Sequence, residues 1–373
     1  MSQKNELKEI GKLFFKLGSI AFGGPAAHIA MMEDEVVKNR KWMTEEQFLD
    51  FLGATNLIPG PNSTEMTMHC GYQRAGWKGL FVAGFCFIFP AVVITSIFAW
   101  LYHQYGQLPK VEPFIYGIKS AVIAIIVMAA YRLGKKAVKN TELAILGFIT
   151  LATCLLGVNK IIALFGCGLL GLVFYFFKKN IGNLNSFVPF MLIQESEPLK
   201  IGIVKIFLIF SKVGAILYGS GYVLFAFLDS ELVSNGWLTR QVLIDSIAVG
   251  QITPGPVLST ATFIGWQING ITGAIIATIG IFLPSFIFIL ILNPLIPKLR
   301  ESKILSTFLD TINVAAVALI IAVCIEMGIE TLTDWRTITI AVASLTIVFV
   351  FKKLNSAFIV LGGAIFGYLI TLV

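Results

Sequence analysis

Residues 271–296 read ITGAIIATIGIFLPSFIFILILNPLI, a stretch without a single charge. A run of this kind exceeds the roughly 18–20 residues a helix needs to cross a bilayer core. Apolar runs also occupy 79–102, 113–131, 142–158, 161–177, 200–228, 304–325, 337–351 and 356–373. Several reach spanning length; the shorter ones suit a thin or kinked span. The alternating strands of a barrel are absent, so the expected class is all-α integral membrane. Only 13% of the 373 residues are charged, against roughly 25% in soluble domains. The net charge of +7 fits basic loops at a membrane face and does not argue for nucleic acid. No signal peptide is visible. The five cysteines (Cys70, Cys86, Cys154, Cys167, Cys324) show no metal spacing and read as reduced packing residues. No cofactor is expected.

The chain repeats itself. Pro-Gly-Pro stands at 59–61 and again at 254–256, 195 residues on. At that offset Trp42 matches Trp237, Thr44 matches Thr239 and Asp50 matches Asp245. One residue more aligns Lys16 with Lys212, Gly18 with Gly214, Gly23 with Gly219 and Glu35 with Glu231. One fewer aligns Gly71 with Gly265, Gly76 with Gly270, Gly79 with Gly273 and Pro90 with Pro284, and sets Lys119 opposite Asn313. Collinear matches with small slips mark a duplicated unit. Residues 1–179 form the first repeat, 180–199 a linker whose apolar part is too short to span, and 200–373 the second repeat. Each repeat is read as a glycine-rich first helix (6–31 and 200–228), a Pro-Gly-Pro-broken element and further spans.

Loop charge predicts that the repeats face opposite ways. The loop at 132–139 holds Arg132, Lys135, Lys136 and Lys139, whereas its counterpart holds Glu326, Glu330, Asp334 and Arg336. The near-neutral loop at 103–112 answers Lys298, Arg300 and Lys303. Inversion needs an odd number of crossings per repeat. About five transmembrane helices plus a re-entrant Pro-Gly-Pro element meet that condition. The scheme puts the amino terminus outside, at odds with Lys4, Lys8 and Lys12.

Pro ends the helix before it and starts the next one well. Gly permits the bend between. Each motif therefore makes two half-helices, and the second leaves free N–H groups and partial positive charge at its head. In hydrocarbon such a break must face protein or water. Two breaks in inverted repeats place a ligand site between the repeats, and a helix head suits an oxyanion. A plain kink is the competing reading.

The paired Pro-Gly-Pro signatures, the FGGP at 22–25, the GQITPGP at 250–256 and the length resemble the chromate ion transporter family, as a fused two-unit member. The resemblance implies export of chromate, chromate resistance, sulfate as a competing anion and a bacterial plasma membrane location. The breaks and the quoted motifs make Gly23, Gly24, Asn56, Pro59, Gly60, Pro61, Asn62, Ser63, Gln251, Pro254, Gly255 and Pro256 the candidate substrate contacts. Asn56 near the position of Gln251 makes the half-sites unequal. Lys16 and Lys212 could meet a dianion from two sides, or snorkel to the interface. Lys119 is a third cationic candidate with the same alternative. Glu65, about 9 Å along a helix from Pro59, is a proton-carrier candidate.

The remaining polar residues have plainer readings. His28 and His69 read as packing residues, and Asp50 and Asp245 as charges complementing a helix start. Thr44 with Gln47 fits a capping box. Trp42 and Trp237 read as interface anchors, and Gly363 and Gly367 as a helix-packing pair.

An inside-negative potential helps a dianion outward by about 4.6 kcal/mol at 100 mV. Few intramembrane acids are visible to carry compensating protons, so efflux is the expected direction. An uptake carrier or anion channel stays open, as does a homodimer. An intramembrane enzyme or lipid-handling protein lacks support: no metal cluster, Gly-x-Ser-x-Gly or P-loop is present.

Overall fold

The computed structural model describes residues 3–22, 24–106, 108, 111–179, 202–218, 221–292, 302–351 and 354–371. Gly23, Gly219, Lys298, Arg300 and the linker 180–199 lie outside the described residues. Every described element is helical: α1 (Gln3–Ile20), α2 (Pro25–Glu33), α3 (Glu45–Thr55), α4 (Asn62–Tyr105), α5 (Glu112–Ala137), α6 (Thr141–Leu155) and α7 (Lys160–Lys179) in the first repeat. The second repeat holds α8 (Ile203–Ile216), α9 (Val223–Leu228), α10 (Arg240–Ile252), α11 (Thr260–Leu292), α12 (Lys303–Thr331), α13 (Trp335–Val350) and α14 (Ser356–Thr371).

The first helix of each repeat is not the continuous rod expected over 6–31 and 200–228. α1 buries Ile10, Leu13, Phe14 and Leu17, one helical stripe, against Met66, Cys70, Ala83 and Phe87 of α4. It stops at Ile20. Gly24, with φ of 79°, and Pro25 at the first helical position then start α2 in a new direction. α2 runs back along α1: His28 Nε2 meets the Ala21 carbonyl at 3.0 Å, Glu35 meets Lys16 at 3.0 Å and Arg40 meets Glu9 at 2.8 Å. α8 breaks likewise before α9, and Glu231 returns to Lys212 at 2.8 Å.

The Pro-Gly-Pro motifs sit at the tips of helical hairpins. Thr44 and Gln47 form the expected capping box at the start of α3. Its 11 residues rise about 16 Å, half of a bilayer core. Beyond the tip, Phe51 stacks on His69 with centroids 5.2 Å apart, and Asn62 Nδ2 donates to Asn56 Oδ1 at 2.9 Å. Those pairs straddle Pro59 and Gly60, so α3 and the start of α4 are antiparallel limbs. In the second repeat Gly250 of α10 abuts Thr260 of α11 in the same way. α4 then reverses at Ala75 and Gly76, where Gly76 takes φ of 63°. α11 reverses at Asn269 and Gly270, with φ of 52° at the glycine. After each reversal the limbs touch backbone to backbone, Gly71 on Gly79 and Gly265 on Gly273. A Cβ at any of the four would collide with the facing carbonyl.

The second limbs of α4 and α11 face lipid. Exposed apolar residues recur at every fourth position, Phe81, Phe85, Phe89, Val93 and Ile97 on α4. Ile275, Ile279, Leu283, Ile287 and Ile291 take the matching places on α11. These helices, with α5, α7 and α12, are long and apolar enough to span a membrane.

The equivalent helices α5 and α12 fix the relation between the repeats. As the chain advances along α5 from Tyr116 through Gly134 to Lys139, its contacts retreat from Asp334 through Val317 to Asp310. Two membrane-length helices at matching positions are therefore antiparallel, and the repeats are inverted. They also exchange partners: α5 packs on α13 and α14, whereas α12 packs on α6 and α7. Gly363 and Gly367 are indeed a packing pair, closing on Gly117 of α5.

The amino terminus is not opposite the basic loop, as expected, but on the same face. Glu9 meets Arg40 at 2.8 Å and Arg74 at 3.6 Å, just before the Gly76 reversal. From there α4 crosses to Tyr102 beside the start of α5, and α5 returns to Lys136. Because α1 folds back instead of crossing, Lys4, Lys8 and Lys12 belong with Lys135, Lys136 and Lys139.

Candidate functional site

Each tip seats in the other repeat. The Gly60 N–H donates to the Leu217 carbonyl at 2.7 Å, and the Gly255 N–H donates to the Ala21 carbonyl at 2.9 Å. Ala21 and Leu217 are equivalent, as are Gly60 and Gly255, so the two bonds form one reciprocal exchange. The acceptors exist because α1 and α8 break there, which frees the carbonyls of their last turns. Glycine is required at both donors: φ is 148° at Gly60 and 84° at Gly255. Gly255 nestles where a Cβ would lie 3.0 Å from Ala91 Cβ and 3.1 Å from the Gly18 carbonyl. Gly60 lies against Glu65 and against Ser285 of α11.

Each tip thus meets a chain break of the other repeat in the protein interior, and Pro59, Pro61, Pro254 and Pro256 are buried with their glycines. α4 starts after Pro61 with no side chain capping it. The N–H groups of Thr64 and Glu65 turn back to the Pro61 carbonyl. Those of Asn62 and Ser63 head the helix without such a bond inside it. Gly24 likewise precedes α2 without a side-chain cap. Ser63 is buried, Asn62 half-buried and Asn56 exposed. On the other tip, Gln251 is buried; Tyr222 donates to its Oε1 at 3.3 Å, and its Nε2 has no partner among the described residues. Thr95 of α4 donates to Ser259 at 3.3 Å, a further tie between repeats. The tips are unequal in chemistry. Asn62, Ser63, Thr64 and Glu65 follow the first, whereas Val257, Leu258, Ser259 and Thr260 follow the second.

The three candidate lysines lie apart from the tips. Lys16, with its side chain 58% exposed, pairs with Glu35, and Lys212 pairs with Glu231. Lys119 lies 3.4 Å from Asp245, which also accepts from the Tyr102 hydroxyl at 2.6 Å. Asp50 and Asp245 are both read as helix-start charges; Asp50 is exposed, but Asp245 is buried in this inter-repeat cluster. The cluster floors a cavity of about 410 Å³ lined also by Glu112, Tyr116, Gln241 and Glu330. Beside it, Lys160 and Arg240 clamp Asp229 and Glu326.

Tyr102, Tyr218 and Ser285 were not singled out by the sequence. Ser285 follows Pro284 where Ala91 follows Pro90, so the repeat alignment itself carried a signal. Tyr102 and Tyr218 gave none. Glu65 is fully buried. Among the described residues no group of His, Cys, Asp and Glu is placed to hold a metal.

Inverted helical repeats with membrane-length helices and Pro-Gly-Pro hairpins seated in one another mark a multi-pass membrane transport protein. Comparison with known proteins narrows the class. The profile described as Chromate transporter matches residues 8–172 and again 204–368. A probable chromate transport protein of Synechococcus elongatus is 32% identical over 374 residues, covering 97% of this chain and 95% of that protein. The chromate transport protein of Cupriavidus metallidurans is 29% identical, covering 97% and 92%, and that of Pseudomonas aeruginosa is 28% identical, covering 96% and 91%. No solved structure matches the chain. The chain belongs to the chromate transporter family, as a transport protein and not an enzyme.

Proposed function

We propose that the protein exports chromate, with sulfate competing, by binding the dianion between the two seated tips. The reciprocal bonds of Gly60 and Gly255 carry this reading. They set the tip that heads α4 against the break after α8, and the second tip against the break after α1 that precedes α2, so each tip is tied to both repeats. The Asn62 and Ser63 amides offer donors at a positive helix end. Gly24, Asn56, Gln251 and the two Pro-Gly-Pro turns complete the lining. Chromate and sulfate share charge and shape, so a site of amides and hydroxyls separates them poorly.

Lys16 and Lys212 lie about 7 Å along their helices from the accepting carbonyls. In this reading they draw the anion toward the break, and Lys119 does so from the cavity side. The face bearing Lys136 and Lys139 is cytoplasmic by its charge. The opposite face holds the cavity. Outward movement of a dianion gains about 4.6 kcal/mol at 100 mV, inside negative. That sign supports export, and export of chromate would confer resistance.

The test is labelled chromate flux in reconstituted vesicles at imposed potentials of either sign, with sulfate added. Saturable, sulfate-inhibited flux with counterflow, fastest toward the positive side, is the expected result. Flux that neither saturates nor shows counterflow would make the protein a channel.

A further inference from the structure

We propose that Glu65 is a proton site linked to the anion: its carboxyl is protonated whenever a dianion occupies the head of α4, so that one proton travels with each dianion. The inference rests on the transport reading above and concerns what else moves.

Its basis is position. Glu65 lies in the first turn of α4, three residues beyond Asn62, with its side chain fully buried. Its carboxyl folds back onto Gly60, at the seated tip, beside the hydroxyl of Ser285 from the other repeat. Among the described residues neither oxygen completes a well-formed hydrogen bond. Among the described residues no Lys or Arg forms an ion pair with it. An ionised carboxylate without a cation is strongly disfavoured in such a place, and the neutral acid is the form the pocket accommodates.

The surroundings reinforce that point. α11, which supplies Ser285, carries no ionisable residue along its whole length. α1 presents Ile10, Leu13, Phe14 and Leu17, with its charged ends turned to Glu35 and Arg40. α3 presents Phe48, Phe51 and Leu52. From α2 comes His28, engaged with the Ala21 carbonyl. The break after α8 brings Tyr218 within electrostatic reach of Glu65. On α4 itself His69 is one turn further on and stacked against Phe51. Asp245 of α10 already has Lys119 and Tyr102.

A dianion at the Asn62 and Ser63 amides would sit about one helical turn from Glu65. Two negative groups that close, in a site screened from water, exclude each other; a neutral Glu65 and the dianion do not. Binding of proton and anion therefore favour each other, and by linkage each raises the affinity for the other equally. When the tip leaves its seat and water reaches the carboxyl, the O–H bond breaks and the proton passes to water on the side to which the anion departs. The moving unit carries one net negative charge instead of two. The sequence expectation of few acids able to carry protons is modified accordingly.

The test is chromate binding to the purified, detergent-solubilised full chain as a function of pH, with proton uptake read by an indicator dye in weak buffer. Chromate in protein-free buffer supplies the correction for its own protonation. The wild type is expected to take up as much as one proton per chromate bound. Its apparent affinity should fall about tenfold per pH unit once the protonated fraction becomes limiting. Glu65→Gln, permanently neutral, should bind chromate with no proton uptake and with only the pH dependence of chromate itself. Matching pH profiles for wild type and Glu65→Gln would overturn the inference. So would wild-type binding without proton uptake in the pH range where its affinity falls, a result that needs no variant to fold. A wild type that binds no chromate at all overturns the transport reading, and this inference with it.

Discussion

Replacing Gly255 with alanine tests the seated tip most directly. Two costs can be worked from the structure. The φ of 84° is left-handed, and a Cβ there costs about 1–2 kcal/mol. The new methyl would also sit 3.0 Å from Ala91 Cβ and 3.1 Å from the Gly18 carbonyl, closer than ordinary contact. Overpacking of that kind costs about 1–3 kcal/mol. Together they disfavour the seated tip by about 2–5 kcal/mol, or about 30-fold at the lower limit, since 1.4 kcal/mol is tenfold. Gly236 provides the control. It has φ of 72° and nothing within 4 Å of its would-be Cβ, so alanine there meets strain alone. The assay is chromate counterflow in vesicles, normalised to folded protein from size-exclusion chromatography. Gly255→Ala should lose at least tenfold in rate, and Gly236→Ala should transport as wild type does. Equal rates for wild type and Gly255→Ala would refute the claim that the tip must seat to transport.

Cysteines placed at Lys136 and Asp334 should react with impermeant reagents from opposite sides, because those residues lie at opposite ends of α5; labelling from one side would undo the inverted arrangement. Lys119→Gln or Asp245→Asn each strands a buried partner and should cost about 3–5 kcal/mol, seen as a lowered thermal midpoint. The double replacement Lys119→Met with Asp245→Leu should recover much of it. Lys16→Gln breaks an exposed pair worth less than about 1 kcal/mol, so the fold should stand while chromate affinity drops. Unchanged affinity in both Lys16→Gln and Lys212→Gln would remove those lysines from the anion path.

Backbone chemistry made the most legible parts of this fold. Proline and glycine dictate local geometry by themselves, so two copies of Pro-Gly-Pro announced both the repeat and its breaks. The fold-back of α1 was harder to read, because the stretch Leu17–Ala30 runs through the break at Gly24 without an Asp, Glu, Lys or Arg to mark it. The reversal at Gly76 was hidden in the polar stretch Gln73–Lys78, which resembles any interfacial loop. Asp50 and Asp245 could not be told apart by local context. What separates them is Lys119, more than a hundred residues away, reaching Asp245 alone. Ser285 and Tyr218 gain meaning only from the seating of a tip made by the other half of the chain.

The exchange at Ala21 and Leu217 has a consequence for how such a molecule is made. Each half is a plug and a socket, and neither fits itself. A half synthesised alone would have its socket filled only by a second copy lying the other way up, and a membrane inserting that half in a single orientation would never supply one. Joining the halves in one gene delivers both orientations in equal number. It also leaves each half free to fix its own orientation through its own loop charges, and free to drift apart in sequence. Glu65 on one tip and Thr260 at the matching place on the other are a difference of that kind.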